Sequence, residues 1–324
     1  MKKALRVIGV LLAGLALLFL VGPRPDRSER VSFDPAAIGD DPDAYLARSE
    51  AAWPDIRDGL QKEILWADPI SKSKTPIALV YVHGFSASRV ETAPVSENAA
   101  RALGANLFVT RLAGHGRTGE AMASAKLTDW FDDMAEAIEI GETIGERVIL
   151  VAASTGGTLS VWAAHRPDLA GRIDGMVLIS PNFAIHGAPT WLLNLPWAES
   201  LLPMALGQER SFEPRNEQHA HGWTHRYPSR AVFPMAALLK IVEGIDPAGI
   251  PIPALFVYSP EDSVVDARRT ADIAARWGGA HEILQITDST DPNNHVIAGD
   301  ALSPNTTDRV SEAIVEWAMK LAVK

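Results

Sequence analysis

Residues 151–160, "VAASTGGTLS", decide how this chain is read. They close an apolar run, "RVILVAAS" (147–154), that has the composition of a buried strand. They open "GGTLSVWAAHRP" (156–167), a helix that Pro167 must stop. Ser154 therefore stands at a strand-to-helix corner, flanked by the small residues Ala152, Gly156 and Gly157. A nucleophile elbow needs this arrangement, because the strained turn admits only small side chains two positions to either side of the nucleophile. The usual pattern has glycine where Ala152 stands. The requirement is steric, so alanine meets it if the turn opens slightly. On this stretch alone, a serine that merely caps a helix remains an equal alternative.

Working outward, "TPIALVYVHGF" (75–85) is a continuous apolar strand of the kind buried on both faces of a parallel sheet. A helix over Val95–Leu103 follows, then the strand "ANLFVTRL" (105–112) and the helix "TDWFDDMAEAIEIGETIG" (128–145), with Thr128 expected to cap it. The strand "DGMVLISP" (174–181) comes after the serine helix. The rhythm breaks over about 182–249, which is rich in apolar and aromatic residues but has no legible strand. It resumes with "IPALFVYSP" (252–260), a helix over Ala267–Trp277, "HEILQIT" (281–287) and a closing helix from Thr306 to Val323. Upstream, "DDPDAYLARSEAAW" (40–53) is a short helix capped by Asp41 or Asp43, and "LQKEILWADP" (60–69) a strand. The expected class is α/β: a mostly parallel sheet, helices on both faces, and a helical cap inserted over 182–249.

Three further segments give Ser154 chemical company. An acyl-transfer site needs two backbone N–H groups aimed at the developing oxyanion. One is expected from Thr155, directly after the nucleophile. The other is expected from Phe85, in the loop that leaves the strand ending at His83 and Gly84. Asp262 in "YSPEDSVVD" (258–266) lies at a strand's carboxyl end and is placed to orient a histidine. Glu261 and Asp266 compete for that post, Asp266 being the better helix cap. His295 in "DPNNHVIAGD" (291–300) is the histidine in a late polar loop and the expected general base, whereas His281 opens a strand and reads as structural. The order serine, aspartate, histidine along the chain is that of α/β-hydrolases.

Composition narrows the classes. The 324 residues are 47% apolar and 22% charged, with a net charge of −10 and no basic run beyond the N-terminus, which sets nucleic-acid binding aside. Without cysteine there is no thiolate nucleophile and no cysteine-ligated metal. His219, His221 and His225 lack the H-E-x-x-H spacing or a carboxylate partner pattern, so they are expected on a hydrogen-bonded surface, and neither metal nor cofactor is expected.

The N-terminus, "MKKALRVIGVLLAGLALLFLVGPRPDRSER" (1–30), has a basic start and an apolar run over Val7–Gly22 of about 24 Å as a helix. No A-x-A triplet ends the run, so residues 1–22 are expected to be an uncleaved membrane anchor, with a removed signal peptide as the alternative. Lys2, Lys3 and Arg6 would stay in the cytoplasm and leave the body on the non-cytoplasmic side. Residues 23–40 read as a linker, and 41–324 as one folded domain.

From Pro76 to Val323 the chain resembles the α/β-hydrolase superfamily, and within it carboxylesterases and monoacylglycerol lipases. "YVHGFSAS" is similar to their oxyanion loop and "RLAGHGRTGE" to their "GHG" stretch, with "TDWFDDM" like the helix after it. "AASTGG" resembles their elbow, "SPEDSVVD" their acid loop and "NNHVIAGD" their histidine loop. The resemblance implies Ser154 as nucleophile, Asp262 as acid, His295 as base, and Phe85 with Thr155 as oxyanion donors. It gives His115 a structural role. The expected activity is cleavage of a small-molecule carboxylic ester, acylglycerol-type or otherwise lipophilic. A thioesterase, lactonase or amide hydrolase would use the same residues, and a catalytically silent, membrane-tethered binding protein is the alternative of another kind. Trp191, Leu192, Leu193, Leu195, Trp197, Leu201 and Leu202 in the cap suit either an acyl pocket or plain packing on the sheet.

Overall fold

The structure is a computed structural model that describes residues 2–322. Its strands are β1 (Glu63–Leu65), β2 (Ala78–Val82), β3 (Asn106–Val109), β4 (Val148–Ala153), β5 (Gly175–Ile179), β6 (Glu209–Ser211), β7 (Arg226–Pro228), β8 (Ala254–Tyr258) and β9 (His281–Gln285). Seven of them form one sheet in the order β1-β3-β2-β4-β5-β8-β9. Only β1 pairs antiparallel; β3, β2, β4, β5, β8 and β9 run parallel to one another.

Strand periodicity explains the two layers of core. Successive side chains point to opposite faces, so Val148, Leu150 and Ala152 of β4 enter one apolar cluster while Ile149, Val151 and Ala153 enter the other. β2 divides likewise into Ala78, Val80 and Val82 against Leu79 and Tyr81. The first face is covered by helices Leu127–Ile144, Thr155–His165 and Val232–Val242, through residues such as Trp130, Trp162 and Leu238. The second is covered by Val95–Leu103 and Thr307–Ala322, through Ala99, Val310 and Ile314. Strands buried on both sides have no polar face to show, which is why their sequences run continuously apolar.

The structure corrects three details. The 182–249 insertion is not purely helical: β6 and β7 pair as a two-stranded antiparallel ribbon. Each has only three residues, exposed along β6 and partly buried at Tyr227 and Pro228 of β7, too few for alternation to register. Thr128 does not cap its helix, which starts at Leu127; the Lys126 amide donates to Asp129 Oδ2 at 2.8 Å instead. Finally, the membrane-spanning anchor finds no support. Among the described residues, no helix is long and apolar enough to cross a membrane. The N-terminal helix Lys2–Leu20 carries Lys3 and Arg6. Its uncharged part, Val7–Leu20, is about 21 Å long, short of a hydrocarbon core of roughly 30 Å. Its leucines and valines nevertheless point outward, with Val10 72% and Leu15 62% exposed. The helix is tied to the body near its end: Trp197 Nε1 donates to Leu18 O at 3.1 Å, and the Trp197 amide to Pro23 O at 2.7 Å.

Candidate active site

Ser154 sits between β4 and the helix Thr155–His165 with φ 49° and ψ −116°, a left-handed conformation costly for a residue with a Cβ. The surroundings hold it there. Its amide donates to Ile179 O of β5 at 2.9 Å, and its carbonyl accepts from Gly157 and Asn182, each at 3.0 Å. Close approach explains the small neighbours: a Cβ on Gly156 would lie 2.2 Å from Val82 O. Ala152 causes no such conflict. It keeps register with Val82 and Leu178, and its methyl is fully buried in the core. The elbow therefore accepts alanine at the position where glycine is usual.

Two loops at the carboxyl ends of β8 and β9 bring the other groups in. His295 Nε2 lies 3.1 Å from Ser154 Oγ, and His295 Nδ1 lies 2.8 Å from Asp262 Oδ2. A carboxylate only accepts, so Nδ1 carries the hydrogen and Nε2 presents a lone pair to the serine hydroxyl. Asp262 is buried, and its Oδ1 accepts the amides of Val264 and Val265 at 2.8 and 2.9 Å. The loops are also joined to each other, the Ser263 amide donating to Asn293 O at 2.9 Å. Burial by itself pushes the His295 imidazolium down. The hydrogen bond and charge of Asp262, with Glu91 and Asp291 also nearby, more than offset this and hold it above its ordinary value. Of the rival acids, Asp266 caps the helix Ala267–Ala275 and pairs with Arg268, and Glu261 is exposed.

On the other side of the serine, Gly84 leaves no room for a side chain: a Cβ there would lie 2.8 Å from Ser154 Cβ. His83 is fully buried. Its Nε2 accepts the Leu112 amide at 3.0 Å, so Nδ1 carries the hydrogen and donates to Gly84 O at 2.8 Å. That carbonyl belongs to the peptide whose N–H is that of Phe85, so His83 fixes the direction of the amide expected at the oxyanion. Burial, then the neighbouring His115, keeps the His83 imidazolium far below its ordinary value, which preserves this neutral tautomer. Among the described residues, neither the Phe85 nor the Thr155 amide has a protein acceptor. The "GHG" loop behind is braced by Arg111, which pairs with Glu50 at 2.7 Å and donates to His115 O at 3.1 Å.

A cavity of about 590 Å³ opens onto Ser154 and His295, within the usual range for a small-molecule site. Of the seven cap residues in question, Leu192, Leu193 and Leu202 line it, whereas Trp191 and Leu201 face outward and Trp197 holds the N-terminal helix. Phe212, Val232 and Met235 add to its apolar side. His219, expected on the surface, is buried and lines the cavity, its ring edge-on to Trp223. Two contributors gave no sequence signal. Asp291 is buried and accepts the amides of His295 and Val296 through Oδ2 at 3.1 and 3.0 Å, setting the histidine loop. Glu91 is a buried carboxyl in the cavity wall.

A mostly parallel seven-stranded sheet with a strained serine at the end of β4 and a cap over its carboxyl edge defines an α/β-hydrolase fold. The chain belongs to the family described as serine aminopeptidase, S33 (Hydrolase_4), whose model matches residues 74–290. It is 30% identical over 106 residues to a thermostable monoacylglycerol lipase of Bacillus sp. (strain H-257); the match takes in 32% of this chain and only 42% of that curated relative's length. Among solved structures it is similar to one described under the metagenome-derived lipolytic enzymes LipS and LipT, at a TM-score of 0.64 and 22% identity, covering 82% of this chain and 99% of that one. It is also similar to the monoacylglycerol lipase of Paleococcus ferrophilus, at a TM-score of 0.57 and 16% identity, covering 81% and 99%. At these identities the solved structures establish the fold alone.

Proposed function

We propose that this protein is a serine hydrolase that cleaves lipophilic carboxylic esters by a mechanism needing no cofactor. One observation carries the reading: the unbroken hydrogen-bond chain from Asp262 through His295 to Ser154, opening on a cavity with largely apolar walls. Ser154 Oγ attacks the ester carbonyl carbon as its proton passes to His295 Nε2, and Asp262 stabilises the imidazolium. The carbonyl oxygen becomes an oxyanion and accepts the amides of Phe85 and Thr155. Collapse expels the alcohol, protonated by His295. Water then attacks the acyl-serine as its proton passes to His295 Nε2; collapse of this second intermediate breaks the acyl–Oγ bond, His295 returns the proton to Ser154 Oγ, and the acid leaves.

The Bacillus relative's description as a monoacylglycerol lipase supports an acylglycerol-type substrate. The family description favours a parallel amide test. The experiment is a panel of p-nitrophenyl esters and monoacylglycerols of increasing chain length, with matched thioesters and aminoacyl arylamides. Ester cleavage that strengthens from acetyl to medium-chain substrates is expected. Turnover of only the thioesters or arylamides would assign a different bond, and a folded protein inert on all of them would be a silent binding fold.

The outward apolar helix Lys2–Leu20 supports attachment to a lipid surface, because such a face is unfavourable in water. Cap residues Trp191 and Met204, 62% and 76% exposed, add to the apolar surface. Vesicle flotation should carry the full chain upward and leave a chain lacking residues 1–22 in solution; equal flotation of both would refute the attachment. Extracytoplasmic placement of the body is part of this proposal, and protease accessibility in intact cells reads it.

A further inference from the structure

We propose that Glu91 is a positioning residue of this site: its carboxyl fixes the oxyanion loop through the Gly84 amide, and its charge supports the His295 imidazolium. The inference rests on the serine-hydrolase reading above and extends it to a residue outside the Ser154–His295–Asp262 chain.

The geometry comes first. Glu91 ends a short turn, Arg89–Glu91, whose start is capped by Ser88. Its side chain turns back across the loop, and the Gly84 amide donates to Oε2 at 2.6 Å. His83 holds the Gly84 carbonyl, so residue 84 is gripped at both ends and the Phe85 peptide has little freedom left. The fit is tight: a Cβ on Gly84 would lie 2.6 Å from Glu91 Oε1 as well as 2.8 Å from Ser154 Cβ. The carboxyl is thus across a single glycine from the nucleophile, in the wall of the same cavity.

Among the described residues, no Lys or Arg neutralises it. Facing it are Tyr81 from β2 and His295 from the late loop, with Asp262 and Asp291 beside that histidine. Arg89, on the same turn, is directed to Glu63 and Glu97 instead. A buried carboxyl without a counter-ion is expensive for stability alone and fits a site that uses its charge. Burial lifts it to about 7, against the opposing pull of the Gly84 amide, His295 and Tyr81. Above that pH the carboxylate favours the imidazolium; below it the support is withdrawn.

The test compares pH profiles of kcat/KM for wild type, Glu91→Gln and Glu91→Ala on one ester. Turnover requires neutral His295, and removing an anion beside it lowers the imidazole's affinity for a proton. The acid limb of Glu91→Gln should move to lower pH by about half a unit or more. Glu91→Ala, which also frees the Gly84 amide, should lose roughly tenfold in kcat with little change in KM, because the oxyanion donor is held less firmly. A role confined to packing would alter the melting temperature and leave the acid limb in place; a Glu91→Gln limb that overlays wild type overturns the proposal. If the variants do not fold, the wild-type His295 Nδ1 proton resonance decides: two inflections with pH support the proposal, and one alone overturns it. Active, Ser154-dependent wild type with an unmoved limb sinks Glu91 alone, whereas inactive wild type sinks the hydrolase reading first.

Discussion

Ser154→Ala is expected to lower ester turnover by about 10⁴- to 10⁶-fold while leaving the melting temperature within a few degrees of wild type. That is the range expected when a serine nucleophile is removed from an otherwise intact site. Among the described residues the hydroxyl has one hydrogen-bond partner, His295 Nε2, and the strained backbone at residue 154 is held by bonds to Ile179, Gly157 and Asn182 that alanine retains. The loss should therefore lie in the chemistry and not in folding. The assay is initial-rate hydrolysis of a medium-chain p-nitrophenyl ester beside a circular-dichroism melt. Residual activity above about one part in a hundred would move the nucleophile elsewhere, since oxyanion donors and binding alone cannot sustain it.

Asp262→Asn should cost about 10⁴-fold in kcat, with the fold retained. The reasoning is about a proton's position. With a carboxylate at Oδ2, His295 Nδ1 must carry hydrogen, and Nε2 is free to accept from Ser154. An amide at 262 can present its NH₂ to Nδ1, which then becomes the acceptor and puts the hydrogen on Nε2, facing a hydroxyl it can no longer deprotonate. Asp266→Asn is the control. Asp266 caps the helix Ala267–Ala275 and pairs with Arg268 at the surface, so its loss should change kcat by less than about threefold. If the two variants exchange effects, the acid has been misassigned.

The fold was legible wherever a strand is buried on both faces. β2, β4, β5 and β8 are continuous apolar runs, and their alternation with helices implies a parallel sheet. It was not legible where structure depends on few residues. β6 and β7 pair over three residues each, too short for a period to register, and the helix at Leu127 is capped through Asp129 and not Thr128. The residues that meet at the site, Ser154, His295 and Asp262, stood out because each ends a strand or enters a loop with polar neighbours. Those that hold them did not. Glu91 lies seven residues after the glycine it grips, and Asp291 reaches the amides of His295 and Val296 from within its own loop. Their roles depend on how the chain folds back, which local pattern does not encode. The apolar N-terminus shows the opposite limit: composition identified a helix that water disfavours, and its basic start suggested a span that its uncharged length does not reach.

Treatment of the full-length, folded protein with a fluorophosphonate, followed by peptide mass spectrometry, tests the central claim most directly. The account predicts stoichiometric labelling of Ser154, with the rate rising with pH as His295 loses its proton, and almost none in His295→Ala. Labelling at another residue, or no labelling while the melting curve shows an intact fold, would contradict it.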